Sequence, residues 1–230
     1  MRFPFLFENI CVLNAEERFL PHLKKLHGRF PKLRIVLEHA TTRAAVEVVK
    51  TLGDTVACTI TAHHLALTVD DWAGQSFHFC KPVARFPDDR SALQEVIREG
   101  LEFALSLGRS FCDPLCSGHP RFFLGSDSAP HLVTSKYTAT PAQSCAAGVY
   151  TSPVLLPLVA HLLKSFGALD KIQGFVSDNG RRFYQKPARF EEVVRLRRLN
   201  YHVEEVLSLG ADDVIPFWAG KDLQFSLVSS

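Results

Sequence analysis

The chain has 230 residues, with 26 Lys and Arg against 24 Asp and Glu, for a net charge of +2. That length can bury one good core, and the near-neutral balance gives no general attraction to polyanions. No basic stripe or aromatic-basic platform marks a nucleic-acid surface, and no apolar run reaches the ~20 residues of a membrane span.

The first recognisable element is an amphipathic helix from Ala15, with Phe19, Leu20, Leu23 and Leu26 on one side; Gly28 and Pro31 punctuate its end. Leu33 to Leu37 reads as a strand running into Glu38 and His39. Thr42 to Leu52 reads as a short helix closed by Gly53, and Thr55 to Ile60 as a second strand running on towards His63 and His64. Strand, helix and strand in that order imply a parallel sheet. Asp70 to Trp72 reads as a loop, Phe77 to Cys80 as a short strand leading into Lys81 and Pro82, and Pro87 to Leu107 as a long helix. An irregular stretch from Cys112 to His119 enters a strand, Phe122 to Leu124, that ends at Gly125-Ser126-Asp127. The polar, small-residue segment from Leu132 to Gly148 reads as a long loop over the strand ends. A helix starting at Thr151-Ser152-Pro153 runs to about Phe166, a short helical turn follows at Asp170, and Ser177 to Gly180 reads as a turn. Leu207 to Ser230 reads as strand-like and packed outside the sheet. Arg195, Arg197 and Arg198 follow Glu191 and Glu192 at helical spacing, which favours surface pairing.

Six cysteines show no paired-motif spacing: Cys112 and Cys116 lack the second pair of a zinc knuckle, and Cys58 and Cys80 sit in apolar surroundings. A reducing compartment suits them. Met1 to Glu8 is too short for a signal h-region. The expectation is a soluble, cytoplasmic protein with no membrane and no nucleic-acid partner.

Three strand ends carry titratable side chains: Glu38 and His39, His63 and His64, and Asp127 with His131 four residues on. In a β/α barrel this carboxyl edge is where chemistry is done, and histidine nitrogen and carboxylate oxygen are ligands of catalytic zinc. The competing reading of Asp127 and Ser128 is a turn that bonds backbone amides, and His131 could simply cap the loop after Pro130. A lone histidine is more often structural than functional.

The segments LEHATT, TITAHHL, FCKPVAR, FLGSDSAPH and SDNGRRFYQ together resemble the dihydroorotases of the homodimeric, single-function type. The resemblance runs from about Cys11 onward and matches only the C-terminal portion of the family's enzyme. It implies an α/β fold: the C-terminal half of a (β/α)8 TIM-type barrel, with about four parallel strands and a C-terminal helical and strand extension. Residues 1–230 would form one partial amidohydrolase domain.

The resemblance also implies a reaction, the zinc-dependent interconversion of N-carbamoyl-L-aspartate and L-dihydroorotate in pyrimidine synthesis. It assigns His39 to the second zinc of a two-metal site. Asp127 would bind the first zinc and act as catalytic general base and acid. Lys81 falls where the family holds the pyrimidine ring through backbone groups. His131 and Ala147 match substrate-contacting positions. TITAHHL matches a strand that gives no metal ligand, so His63 and His64 lose the standing that their spacing alone suggests. No His-x-His, the family's first-zinc motif, occurs in this chain. The bridging carbamylated lysine and one further histidine ligand also have no match. The expectation is therefore a dihydroorotase impaired in this truncated chain, or alternatively an inactive fragment or interaction half-barrel. Unpaired edges of a half-barrel predict a homo-oligomer.

Overall fold

A computed structural model describes residues 9–99, 118–137, 144–187, 193–210 and 212–228. Cys112, Cys116, the expected helix beyond Glu99, the middle of the loop after Leu132, and Glu191 with Glu192 lie outside the described residues.

Three parallel strands organise the molecule: β1 (Ile35–Leu37), β2 (Val56–Ile60) and β3 (Phe122–Leu124), in the order β1-β2-β3. The register pairs Leu37 with Cys58 and Cys58 with Phe122, so all three carboxyl ends point the same way. Every residue of β2 is buried, as expected of a central strand covered on both faces. One face, with Ile35, Leu37, Cys58, Ile60 and Phe122, joins the large apolar core. The other, with Val36, Ala57 and Phe123, meets Phe183 in a much smaller cluster.

The helices form where the sequence supplies a cap and an apolar stripe. α1 (Ala15–Arg29) buries only Leu20 and Leu23 and leaves Phe19 and Leu26 exposed. α2 (Arg43–Thr51) starts at Thr42, whose hydroxyl accepts the Ala45 N–H. Its carboxyl end is held by a residue from another element. The buried Arg121 guanidinium, just before β3, donates to the carbonyls of Val49, Lys50 and Leu52. A cation there completes the last-turn carbonyls and meets the negative end of the helix dipole. α5 (Pro87–Arg98) packs on α2, and Arg43 at the start of α2 bonds Asp88 and Glu95 of α5.

Several sequence expectations need correction. β2 stops at Ile60 because the Thr61 hydroxyl accepts the His64 N–H and opens the short helix α3 (Ala62–Ala66). His63 and His64 are thus carried on a short helix that follows the strand, and both are buried. Asp70 to Trp72 is a helical turn, α4 (Val69–Trp72), because the Asp71 carboxylate accepts from the Thr68 N–H and hydroxyl. The expected strand at Phe77–Cys80 is replaced by a 3₁₀ turn, Ser76–His78. The Phe79 carbonyl accepts from Gly148 N–H and Lys136 Nζ, so the segment is tied to a loop instead of a ladder. Three parallel strands, not four, are therefore present among the described residues.

After β3 come α6 (Val133–Lys136) and, beyond a 3₁₀ turn at Ser152–Val154, the apolar helix α7 (Leu155–Ser165). The expected turn at Ser177–Gly180 is helical: a π turn, Gly174–Asp178, runs into α8 (Asn179–Phe183). Buried Asn179 explains why. Its amide donates to the carbonyls of His119 and Phe122, clamping this segment to the amino end of β3.

The tail is strand-like, as expected. It forms short antiparallel pairs: β4 (Leu196–Arg197) with β9 (Ser226–Leu227), β5 (Tyr201–His202) with β8 (Asp222–Leu223), and β6 (Leu207–Leu209) with β7 (Asp212–Val214). Buried Val203, Phe217 and Leu223 fix it to the main core. Among the described residues, no helix is long and apolar enough to cross a membrane.

Candidate active site

The site residues sit on the carboxyl edge because parallel strands have no alternative. His39 lies two residues past the end of β1 and Asp127 three past the end of β3. Both take a left-handed backbone, with φ of 43° at His39 and 39° at Asp127. Non-glycine residues rarely adopt it, and its cost is held in place by surrounding bonds.

At His39 those bonds run through Thr59, on the central strand. The His39 N–H donates to Thr59 Oγ1 at 2.7 Å, and Thr59 Oγ1 donates to Glu38 Oε2 at 2.6 Å. One hydroxyl thus fixes the turn and the adjoining carboxylate together. Gly125 lies against the same side chain, where an added Cβ would come within 2.7 Å of Thr59 Cβ. Glu16 of α1 secures the other side of the turn, its carboxylate accepting from the Thr41 N–H and the hydroxyls of Thr41 and Thr42.

Asp127 is exposed at the edge. Its pKa is raised by partial loss of water; the His39 imidazole pulls against this and the Glu38 carboxylate adds to it. The charges of Glu38, His39 and Asp127 therefore act on one another across the strand ends.

Lys81 is brought to the same place by a different route. Together with Glu38, His39, Phe19, Pro82 and Arg85 it lines a largely apolar cavity of about 470 Å³ beside β1. Asp127, His131 and Ala147 do not line it. His131 and Ala147 instead meet each other, with His131 Nε2 3.1 Å from the Ala147 carbonyl oxygen. Gly148 is packed so close that a Cβ would come within 2.7 Å of His131 Nε2.

Sequence reasoning missed two supports. Thr59 looks like any strand threonine. Lys136 looks like a loop lysine, yet it is only 3% exposed. Its ammonium donates to the carbonyls of Phe79, Ala146 and Gly148, at 2.8 to 3.0 Å. It thereby ties the loop that carries Ala147 to the segment that carries Lys81, and burial lowers its pKa. Nothing in the local sequence signals either role, since both partners are distant in the chain.

A zinc ion needs more than this edge offers. A catalytic zinc takes three protein ligands. Among the described residues, His39 and Asp127 belong to no group of three ligand atoms close enough to share an ion. The edge therefore presents an incomplete ligand set.

A three-stranded parallel unit with helices packed on it places the chain in the α/β class. The L-hydantoinase (dihydropyrimidinase) from Arthrobacter aurescens shares the fold, with a TM-score of 0.68 at 15% identity, over 93% of this chain and 46% of that one. No family model matches the chain. Its sequence similarity is narrower, to dihydroorotases. It is 47% identical to the dihydroorotase of Mycosarcoma maydis, over 96% of this chain and 63% of that protein. The crystal structure of dihydroorotase from Saccharomyces cerevisiae in complex with 5-fluoroorotic acid gives a TM-score of 0.79 at 40% identity, over 95% of this chain and 58% of that one. Three fungal relatives are named dihydroorotase or probable dihydroorotase, and the chain spans 56 to 63% of their length.

Proposed function

We propose that this chain is the C-terminal part of a dihydroorotase, the second half of a (β/α)8 barrel folded as one partial amidohydrolase domain. The reaction is the reversible closure of N-carbamoyl-L-aspartate to L-dihydroorotate with loss of water. The observation that carries the reading is the shared carboxyl edge of β1 and β3, which holds His39 and Asp127 in matching left-handed turns.

Each residue has a role in this reading. Asp127 moves the proton between the oxygen of the attacking water and the ring nitrogen that leaves. Its raised pKa moves it towards the range where one carboxyl can both accept and return a proton. His39 is the metal-facing imidazole, held by its own N–H on Thr59. Lys81, in the wall beside His39, presents backbone groups to the ring, while His131 and Ala147 contact the substrate from the loop. The family's zinc would supply Lewis acidity and the nucleophile. The ligands present among the described residues do not complete its site.

That incomplete set favours a second reading, in which the isolated chain is inactive. One experiment separates the two. The purified chain is assayed for dihydroorotate hydrolysis alone and after mixing with the remaining N-terminal part of the yeast relative. Turnover that appears only on mixing, and disappears in Asp127→Ala, supports the enzymatic reading. No turnover in either state leaves the chain an inactive half.

A further inference from the structure

We propose that His63, His64 and Cys80 form a buried transition-metal site that uses neither His39 nor Asp127 as a ligand. One ligand atom from each lies within 4.8 Å of the other two. His63 is fully buried, and His64 and Cys80 are each 2% exposed.

His63 carries the argument. Both of its ring nitrogens are buried without a hydrogen-bond partner. A neutral imidazole always holds one N–H and one lone pair, so its burial leaves a donor and an acceptor with nothing to bond. A metal ion on the lone pair would answer half of that deficit.

His64 is arranged as a ligating histidine usually is. Its Nδ1 lies 2.7 Å from Thr61 Oγ1, an outer contact that fixes the ring. Its Nε2 faces Cys80 Sγ at 3.7 Å and the Pro82 carbonyl oxygen at 3.0 Å. The same carbonyl lies 3.1 Å from Cys80 Sγ. The Pro82 carbonyl oxygen thus lies beside both the His64 nitrogen and the Cys80 sulfur.

Without metal, the His64 Nε2–H and the Cys80 thiol both donate to Pro82. On binding, Cys80 releases its proton to solvent as the thiolate forms. His64 keeps its proton but carries it on Nδ1, donating to Thr61. Each chain loses one proton per ion, as metal uptake by a thiol requires.

Donor chemistry selects the ion. Imidazole and thiolate suit zinc or cobalt, whereas magnesium and calcium demand oxygen. Burial depresses the pKa of both histidines, which keeps their lone pairs free near neutrality. The charge of His39 reaches both histidines and that of Arg85 reaches His64, and these oppose a cation, while that of Asp127 reaches Cys80 and favours one. This site does not depend on the dihydroorotase reading, because neither His39 nor Asp127 supplies a ligand atom to it.

Cobalt(II) titration of the metal-stripped full chain tests the proposal. One equivalent should bind and give a thiolate-to-cobalt charge-transfer band in the near ultraviolet, displaced one for one by zinc. Cys80→Ser should abolish the band. His63→Gln should weaken binding at least by the ~10-fold that outer contacts alone are worth. His39→Ala and Asp127→Ala should keep the band, even if the carboxyl-edge reading fails. Zinc should raise the melting temperature of the wild type and not that of Cys80→Ser, which also shows whether the variant folds. Absence of the band in the wild type, its survival in Cys80→Ser, or an equal zinc effect on both melts would overturn the proposal.

Discussion

His39 and Asp127 are linked by one geometry: each follows a parallel strand of the same sheet and each turns through a left-handed backbone, with φ of 43° and 39°. Two non-glycine residues held this way at one edge store backbone strain there, and the His39 charge acts on Asp127.

The raised pKa of Asp127 has a consequence for stability. A carboxyl whose pKa is higher folded than unfolded favours the protonated form in the native state. Its penalty is therefore absent below the ordinary value of 3.8 and grows as pH rises through the folded pKa. Asp127→Asn should melt at a higher temperature than wild type at pH 7, and the two should coincide near pH 3. Asparagine also tolerates the left-handed backbone. Equal melts at pH 7 would show that the charge carries no penalty.

Buried histidines act in the opposite pH range. His64 has its pKa lowered to about 4 and His119 to about 3, in both cases mainly by burial, and that of His63 is also lowered. Neutral burial contributes fully above 6.5, the unfolded value, and is lost as pH falls from there towards the folded values. In metal-free protein, unfolding free energy from urea titrations should drop steadily between those limits, and His119→Gln should flatten the slope. A flat profile over this interval would contradict neutral burial.

Arg121 closes α2 from outside the helix. Arg121→Met keeps the stem and leaves the carbonyls of Val49, Lys50 and Leu52 without their donor. The expected loss is about 2–3 kcal/mol by urea unfolding, the worth of hydrogen bonds to a buried charge. A change below 0.5 kcal/mol, the usual ceiling for a surface substitution, would show that water replaces the guanidinium.

Association follows from what α1 and β1 leave uncovered. Phe19 is 50% exposed and Leu26 41% exposed, and among the described residues β1 pairs on one side only. Such edges and apolar faces recruit other chains. Light scattering of the purified chain should report a homo-oligomer, and Phe19→Lys with Leu26→Lys should shift it towards monomer. A monodisperse wild-type monomer would count against the homo-oligomer expectation.

The sequence by itself determined the parallel strands, because apolar β-branched runs broken by a capped helix leave little choice. It also located His39 and Asp127 at strand ends, since an apolar run followed by polar residues is legible locally. Tertiary structure decided the rest. Thr61 and Thr42 are both strand-end threonines, yet only the fold shows that Thr61 carries His63 and His64 inward beside Cys80. Phe77 to Cys80 has strand composition, but its partners are Lys136 and Gly148, far along the chain, and they take the carbonyl that a ladder would use. The left-handed turns at His39 and Asp127 carry no glycine to announce them. The one at His39 is held by Thr59, which only folding brings within hydrogen-bond reach.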